Sequence, residues 1–258
     1  MNGPDAIDLN CDMGEGFGAY RLGSDEELMP WITSANVAAG FHAGDPRTLE
    51  RTVILARRYG VNVGAHPGFP DLVGFGRRPM ALSPEEIRTD VLYQIGAVAA
   101  FARAAGVPLV HVKPHGALAN LAVKDARVAG AIADAVAAYD PGLILIAYGG
   151  ELARAGRARG LRVAMEAYAD RGYAADGSLL PRSRPGAVLH DPEAIVERAV
   201  EMVRTGSVVS ADGVRVPLAV ETLCVHGDTP GAAAIVRRLR QGLEAAGIRV
   251  RPLPPAVG

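Results

Sequence analysis

Lysine is almost absent from this chain: of 27 basic residues only Lys113 and Lys124 are lysines, and the remainder are arginines. In so alanine-rich a sequence we read that bias as compositional, so a lysine retained inside a motif carries weight. Cysteine is equally scarce. Cys11 and Cys224 are too few for a disulfide scaffold and fit a reducing cytoplasm. No apolar run approaches the roughly 20 residues that span a bilayer. The N-terminal segment lacks the basic-then-apolar order of a signal peptide, so a cytoplasmic protein is expected. With a formal net charge of -1 and no block of like charge, neither nucleic acid nor a membrane surface is an expected partner. Sequence motifs are missing too. There is no G-x-x-x-x-G-K-[ST] loop, because Lys113 is followed by Pro114, and no G-x-S-x-G elbow. There is no C-x-x-C pair either, and spacing gives no reason to expect a transition metal.

What remains is an ordinary globular composition, 49% hydrophobic and 21% charged, able to bury a sizeable core. Short apolar runs predict strands over 6–12, 32–40, 62–66, 109–115, 143–148, 162–170 and 222–228. Helical periodicity predicts helices over 46–59, 84–105, 125–139, 151–159, 192–204 and 230–246. Asp45-Pro46, Ser83-Pro84 with Glu86, Asp191-Pro192 and Thr229-Pro230 are start signals. Gly60, Gly106, Gly160 and Gly247 stand where helices should end. Alternating strands and helices with continuously apolar strands imply a parallel sheet, closed as a barrel or doubly wound. Residues 207–217 read as a hairpin around Asp212-Gly213, and 171–189 as a long loop rich in Gly, Pro and Arg. With no linker or repeat, one domain over 1–258 is expected.

Side chains alternate across a strand, so parity separates the faces. Asp8, Asn10 and Asp12 oppose Ile7, Leu9 and Cys11; His111, Lys113 and His115 oppose Val110 and Val112. Asn36 and His42 agree in parity, as do Glu166, Tyr168 and Asp170, and Cys224, His226 and Asp228; His66 ends its run. Each polar residue alone could cap a strand or bond a loop. As a set, histidines, aspartates and one rare lysine at successive strand ends predict a polar pocket at the C-terminal mouth of a barrel. Uncompensated burial would cost too much for so many charged groups, so pairing or a ligand is required. Asp12, His42, His66, His115 and His226 could meet in space as a metal site, but no transition metal is expected. His111 and His190 read as structural, and Cys11 as a small buried hydrophobe. The run Gly14-Glu15-Gly16-Phe17-Gly18-Ala19 matches a dinucleotide fingerprint only loosely. Acidic Asp12 and Glu15 stand where a pyrophosphate would bind, and a glycine loop over a small substrate is the better reading.

Seven stretches carry a resemblance. Asn10-Cys11-Asp12-Met13-Gly14-Glu15-Gly16, Ala39-Gly40-Phe41-His42-Ala43-Gly44-Asp45, Gly64-Ala65-His66-Pro67-Gly68 and Lys113-Pro114-His115-Gly116-Ala117-Leu118 are four of them. Ala169-Asp170-Arg171, Leu180-Pro181-Arg182-Ser183 and Val225-His226-Gly227-Asp228 complete the set. In this order they resemble the LamB/YcsF proteins, the family of 5-oxoprolinase A subunits. The resemblance implies an incomplete (β/α)7 TIM-like barrel, similar to metal-dependent sugar deacetylases. It also implies ATP-dependent hydrolysis of 5-oxoproline to glutamate, with ATP and magnesium serving a complex with subunits B and C. The expected catalytic residues are Asp12, His66, Lys113, His115 and Asp170, with Asp12 or His66 as base and Lys113 and His115 stabilising charge. Asn10, Glu15, Asn36, His42, Arg171, His226 and Asp228 are expected to bind or orient the lactam. Ala39 and Ala119 stand where the family leads us to expect cysteine and tyrosine, and the second alters a pocket wall. The competing expectations are a metal-dependent deacetylase or amidohydrolase on the same barrel, and a non-catalytic scaffold.

Overall fold

The structure, a computed structural model, describes residues 5–181, 183–225 and 231–254. Seven parallel strands close into a barrel: β1 (Ala6–Met13), β2 (Ser34–Ala38), β3 (Asn62–His66), β4 (Leu109–Val112), β5 (Ile144–Ala147), β6 (Arg162–Tyr168) and, after the hairpin below, β9 (Thr222–Val225). Each strand pairs with the next, and β9 returns to β1 through Asp8↔Thr222 to Cys11↔Val225. The barrel is incomplete in strand number, seven rather than eight, and closed nonetheless.

The helices are α1 (Asp25–Leu28), α2 (Pro46–Tyr59), α3 (Pro84–Ala104), α4 (Gly116–Ala122), α5 (Ala126–Tyr139), α6 (Gly150–Ala158), α7 (Pro192–Thr205) and α8 (Ala232–Ala245). The expected caps form. Asp45 accepts from the Arg47 and Thr48 amides, Ser83 and Glu86 make a capping box, and Asp191 accepts from the Glu193 amide. Gly60, Gly106, Gly160 and Gly247 all take positive φ. Thr229-Pro230 lies outside the described residues. The hairpin is present as β7 (Ser207–Val209) against β8 (Arg215–Pro217). Among the elements not expected are the four-residue α1, α4, and the short β10 (Arg249–Val250), which pairs with Ala6 and Ile7 of β1. The 171–189 loop is tied by bridges Arg171↔Val188 and Tyr173↔Leu179.

Strand parity sorts the layers as expected. Leu9, Cys11, Met13, Val37, Val63, Ala65, Val112, Leu145, Leu223 and Val225 face outward into the main core shared with the helices. Burial of such side chains supplies about 1.5–3 kcal/mol each before entropy is charged against it. Inside, one register ring runs Asp12↔Asn36↔Gly64↔His111↔Ile144. The ring's missing side chain, at Gly64, is replaced by its neighbour. A Cβ there would lie 2.0 Å from His111 Nε2, so only glycine lets that imidazole cross to Asn36, whose Oδ1 it meets at 2.8 Å.

Candidate active site

Below the mouth of the barrel, Asp8 sits on the inner face of β1, 2% exposed. Its Oδ1 accepts from Thr33 Oγ1 at 2.8 Å and Ser34 Oγ at 2.7 Å, and its Oδ2 accepts from Thr222 Oγ1. Burial raises its carboxyl above the ordinary value. One layer up, Asn10 donates to Glu166 Oε1 at 3.0 Å and Thr222 Oγ1 at 2.7 Å. Asn36 donates to Asn10 Oδ1 at 2.7 Å and Asp12 Oδ1 at 2.9 Å. Asn10 and Asn36, expected to bind substrate, are both fully buried and hold the charged groups above them. His111 lies in this layer; burial, with Lys113 nearby, lowers it to about 3, so it is a neutral structural ring.

The next layer holds the charged groups. Lys113 Nζ lies 2.9 Å from Asp12 Oδ1, 3.1 Å from Glu166 Oε1 and 3.0 Å from Cys224 Sγ, and is only 4% exposed. Burial opposes its charge, but the Asp12 and Glu166 carboxylates outweigh that penalty and hold it well above the ordinary lysine value. Burial drives the Cys224 and Cys11 thiols up, so neither is a thiolate nucleophile. Cys11 faces the helices, as expected.

β4 ends at Val112, yet the Lys113 and His115 amides still donate to Ala65 O and Pro67 O, at 3.0 and 2.8 Å. That extended pairing carries both side chains to the mouth beside His66. His66 Nδ1 donates to Lys113 O at 2.6 Å, and its Nε2 meets Asp12 Oδ2 at 3.3 Å and His115 Nδ1 at 3.0 Å. His115 Nε2 donates to Phe75 O at 2.9 Å, from a residue held at φ 55, the one non-glycine positive φ among the described residues. His42 stacks on His115 with centroids 3.9 Å apart, is 1% exposed, and has no hydrogen-bond partner on either ring nitrogen. Gly76 makes room for this pair: a Cβ there would come within 2.7 Å of the His42 Cβ and 2.9 Å of the His115 ring. Burial lowers His42 well below the ordinary histidine value, and burial with His66 nearby lowers His115 to about 3.

A cavity of about 570 Å³ opens onto this layer, the size of a small-molecule site. Asp12, His66, Lys113 and His115 line it together with Arg77, Lys124, Arg171, Asn120, Tyr148, Tyr168 and the loop residues 178–181. Ala119, where tyrosine was expected, is on its wall. Of the expected catalytic set, four residues meet here. Asp170 is buried just past β6, where its backbone oxygen accepts from Leu189. Arg171 lines the cavity while donating to Ala187 O at 3.0 Å and Leu180 O at 2.7 Å, which fastens the 171–189 loop. Glu15 and His42 stand one layer behind the cavity wall, each with a donor atom within 4.8 Å of those of His66 and His115. His226 and Asp228 lie outside the described residues. Sequence reasoning did not select Glu166, although its parity with Tyr168 pointed inward, nor Arg77, Asn120, Lys124 and Tyr148, which come from loops and helix α4. The glycine run after β1 leads to no dinucleotide-binding helix: Phe17 and Tyr20 form a bridge, and α1 has only four residues.

The profile of the LamB/YcsF family matches residues 7–258. A protein from Symbiobacterium thermophilum that bears the name of the 5-oxoprolinase A subunit is 62% identical over 245 residues, covering 95% of this chain and 94% of the relative. The crystal structure of a lactam utilization protein from Thermus thermophilus superposes with a TM-score of 0.92 at 51% identity, covering 96% of this chain and all of that one. A family 4 carbohydrate esterase from Streptomyces lividans shares the fold alone, with a TM-score of 0.50 at 14% identity over 100% of this chain and 98% of the esterase. No helix among the described residues is long and apolar enough to cross a membrane.

Proposed function

Because this chain belongs to the LamB/YcsF family, we propose that it is the lactam-handling component of an ATP-dependent 5-oxoprolinase, opening 5-oxo-L-proline to L-glutamate alongside subunits B and C. The observation that carries this reading is the convergence of Asp12, His66, Lys113 and His115 on one cavity whose wall adds Arg77, Lys124 and Arg171. A small anionic substrate fits such a wall, and arginine is well suited to carboxylate and phosphate.

A five-membered lactam resists hydrolysis because its product amine is tethered to its own carboxyl group. Effective molarities for such closures reach about 10⁵ M or more. Phosphorylating the amide oxygen with ATP makes the ring carbon electrophilic. The chain has no phosphate-cradling loop, so we assign ATP, its magnesium and the phosphoryl transfer to the partner subunits. In this chain, water adds to the ring carbon and gives its proton to Asp12. The C–N bond breaks as the ring nitrogen is protonated, leaving the γ-glutamyl phosphate. A second water then releases phosphate and glutamate, so one ATP and two waters are consumed per turnover. His115 has given its N–H to Phe75 O and is neutral, so it offers a lone pair. Stabilisation of oxygen and phosphate charge falls instead to Lys113, Lys124, Arg77 and Arg171.

The test is 5-oxoproline-dependent release of ADP and glutamate by the reconstituted complex. Asp12→Ala should lower turnover by about 10²–10⁴-fold, the range for a lost general base. Undiminished glutamate production by that variant would remove Asp12 from the mechanism. The histidine cluster favours a second reading, a metal-dependent amide hydrolase needing no ATP. Turnover without ATP that a chelator abolishes would select it.

A further inference from the structure

The arrangement of His42, His66 and His115 poses a problem of charge. A carbonyl oxygen only accepts, so the 2.6 Å contact with Lys113 O fixes a proton on His66 Nδ1, and the 2.9 Å contact with Phe75 O fixes one on His115 Nε2. In neutral rings the remaining nitrogens, His66 Nε2 and His115 Nδ1, carry lone pairs, yet they face each other at 3.0 Å. The Asp12 carboxylate, 3.3 Å from the same His66 nitrogen, adds more electron density. Something positive must lie between them. A shared proton would settle that pair, but it would leave His42, 1% exposed, with both ring nitrogens unpartnered. A buried polar atom without a partner ordinarily costs about 1–3 kcal/mol.

We propose that Glu15, His42, His66 and His115 form a binding site for one divalent transition-metal ion. Their ligand atoms all lie within 4.8 Å of one another, on four buried residues. Two nitrogens on one ion at about 2.0–2.1 Å each stand about 2.9–3.4 Å apart for angles between right and tetrahedral, a range that holds the 3.0 Å of the facing pair. The outward N–H of both His66 and His115 is already anchored on a backbone carbonyl, the arrangement that orients metal-bound imidazoles. Three nitrogens and one carboxylate suit zinc or cobalt and are poor ligands for magnesium or calcium, which take oxygen. The proposal departs from the expectation drawn from spacing alone, because the four residues come from four separate segments that only the barrel brings together.

The measurement uses the untagged full-length chain, stripped with a strong chelator and titrated with Co²⁺ and then Zn²⁺. It contains no ATP, lactam or partner protein, so its failure is read separately from any failure of lactam hydrolysis. We expect one Co²⁺ per chain with visible absorption bands, displacement by one equivalent of Zn²⁺, and a rise in Tm on loading. His42→Ala and His115→Ala, checked for native circular dichroism, should each weaken Co²⁺ binding by roughly 10–100-fold or more, and Glu15→Gln serves if either fails to fold. Stripped wild-type protein that takes up no stoichiometric Co²⁺ or Zn²⁺ overturns the assignment. So do folded variants that keep wild-type affinity and spectrum.

Discussion

In the lower barrel, Asp8 receives three hydroxyls and every one of those donors has a defined acceptor. A few ångströms higher, His42 has no partner on either ring nitrogen, and His66 and His115 turn lone pairs towards each other. Both regions are buried and polar. The lower one closes on itself and holds strands together, as satisfied buried networks do. The upper one is left open, with a strained Phe75 beside it, and strain held at one place calls for a ligand or a reaction.

Substitution can break that contrast. The largest effect is expected at the upper level: His115→Asn should lower lactam turnover by on the order of 10²–10⁴-fold. Measured on chelator-stripped protein, its stability in urea should hold or rise slightly, because an electrostatic conflict is relieved. A loss of stability with turnover intact would reverse the roles drawn for the two levels. Asp8→Ala should do the opposite. Three hydroxyl donors lose their acceptor, costing about 2–4 kcal/mol in urea denaturation, while kcat of the folded protein stays within about threefold. The smallest effect sharpens the boundary between the levels. His111 is held near 3, below its unfolded value, so the unfolded chain takes up a proton first as pH falls. The stability it contributes is present above about 6.5 and is lost between there and about 3. His111→Asn should flatten the fall of unfolding free energy in that window by up to about 1.4 kcal/mol per pH unit. An unchanged slope would mean that His111 is not a buried neutral ring.

How much of this could be read in advance follows from the range of each interaction. Strand parity is local, so the inward placement of Asp12, Lys113 and the Asn10–Asn36 layer was legible in the sequence, as were the Asp45 and Ser83 caps. The partners of Lys113 were not. Glu166 and Cys224 reach it across the barrel from β6 and β9, and cross-barrel register leaves no trace in either strand alone. Helix α4 escaped because it has seven residues and no side-chain cap at His115. Of the proposed metal ligands, His42, His66 and His115 were already named as residues that could meet in space, whereas Glu15 was not, because it sits in the loop after β1, where strand parity no longer applies. Asn10 and Asn36, expected to bind substrate, are buried beneath the cavity lining and hydrogen-bond Glu166 and Asp12, an arrangement that parity alone did not reveal.

The vacancy at Gly64 has a consequence for how this protein can vary. Position 64 and position 111 form a single inheritable unit, since an imidazole occupies the space a side chain at 64 would need. Drift at either one alone is barred: a larger residue at 64 evicts the ring, and a smaller one at 111 empties a hole. A lineage could cross only by changing both together, and it would then lose the grip on Asn36 that steadies Asp12 two strands away. The polar cavity at the mouth thereby constrains a glycine that does not line it.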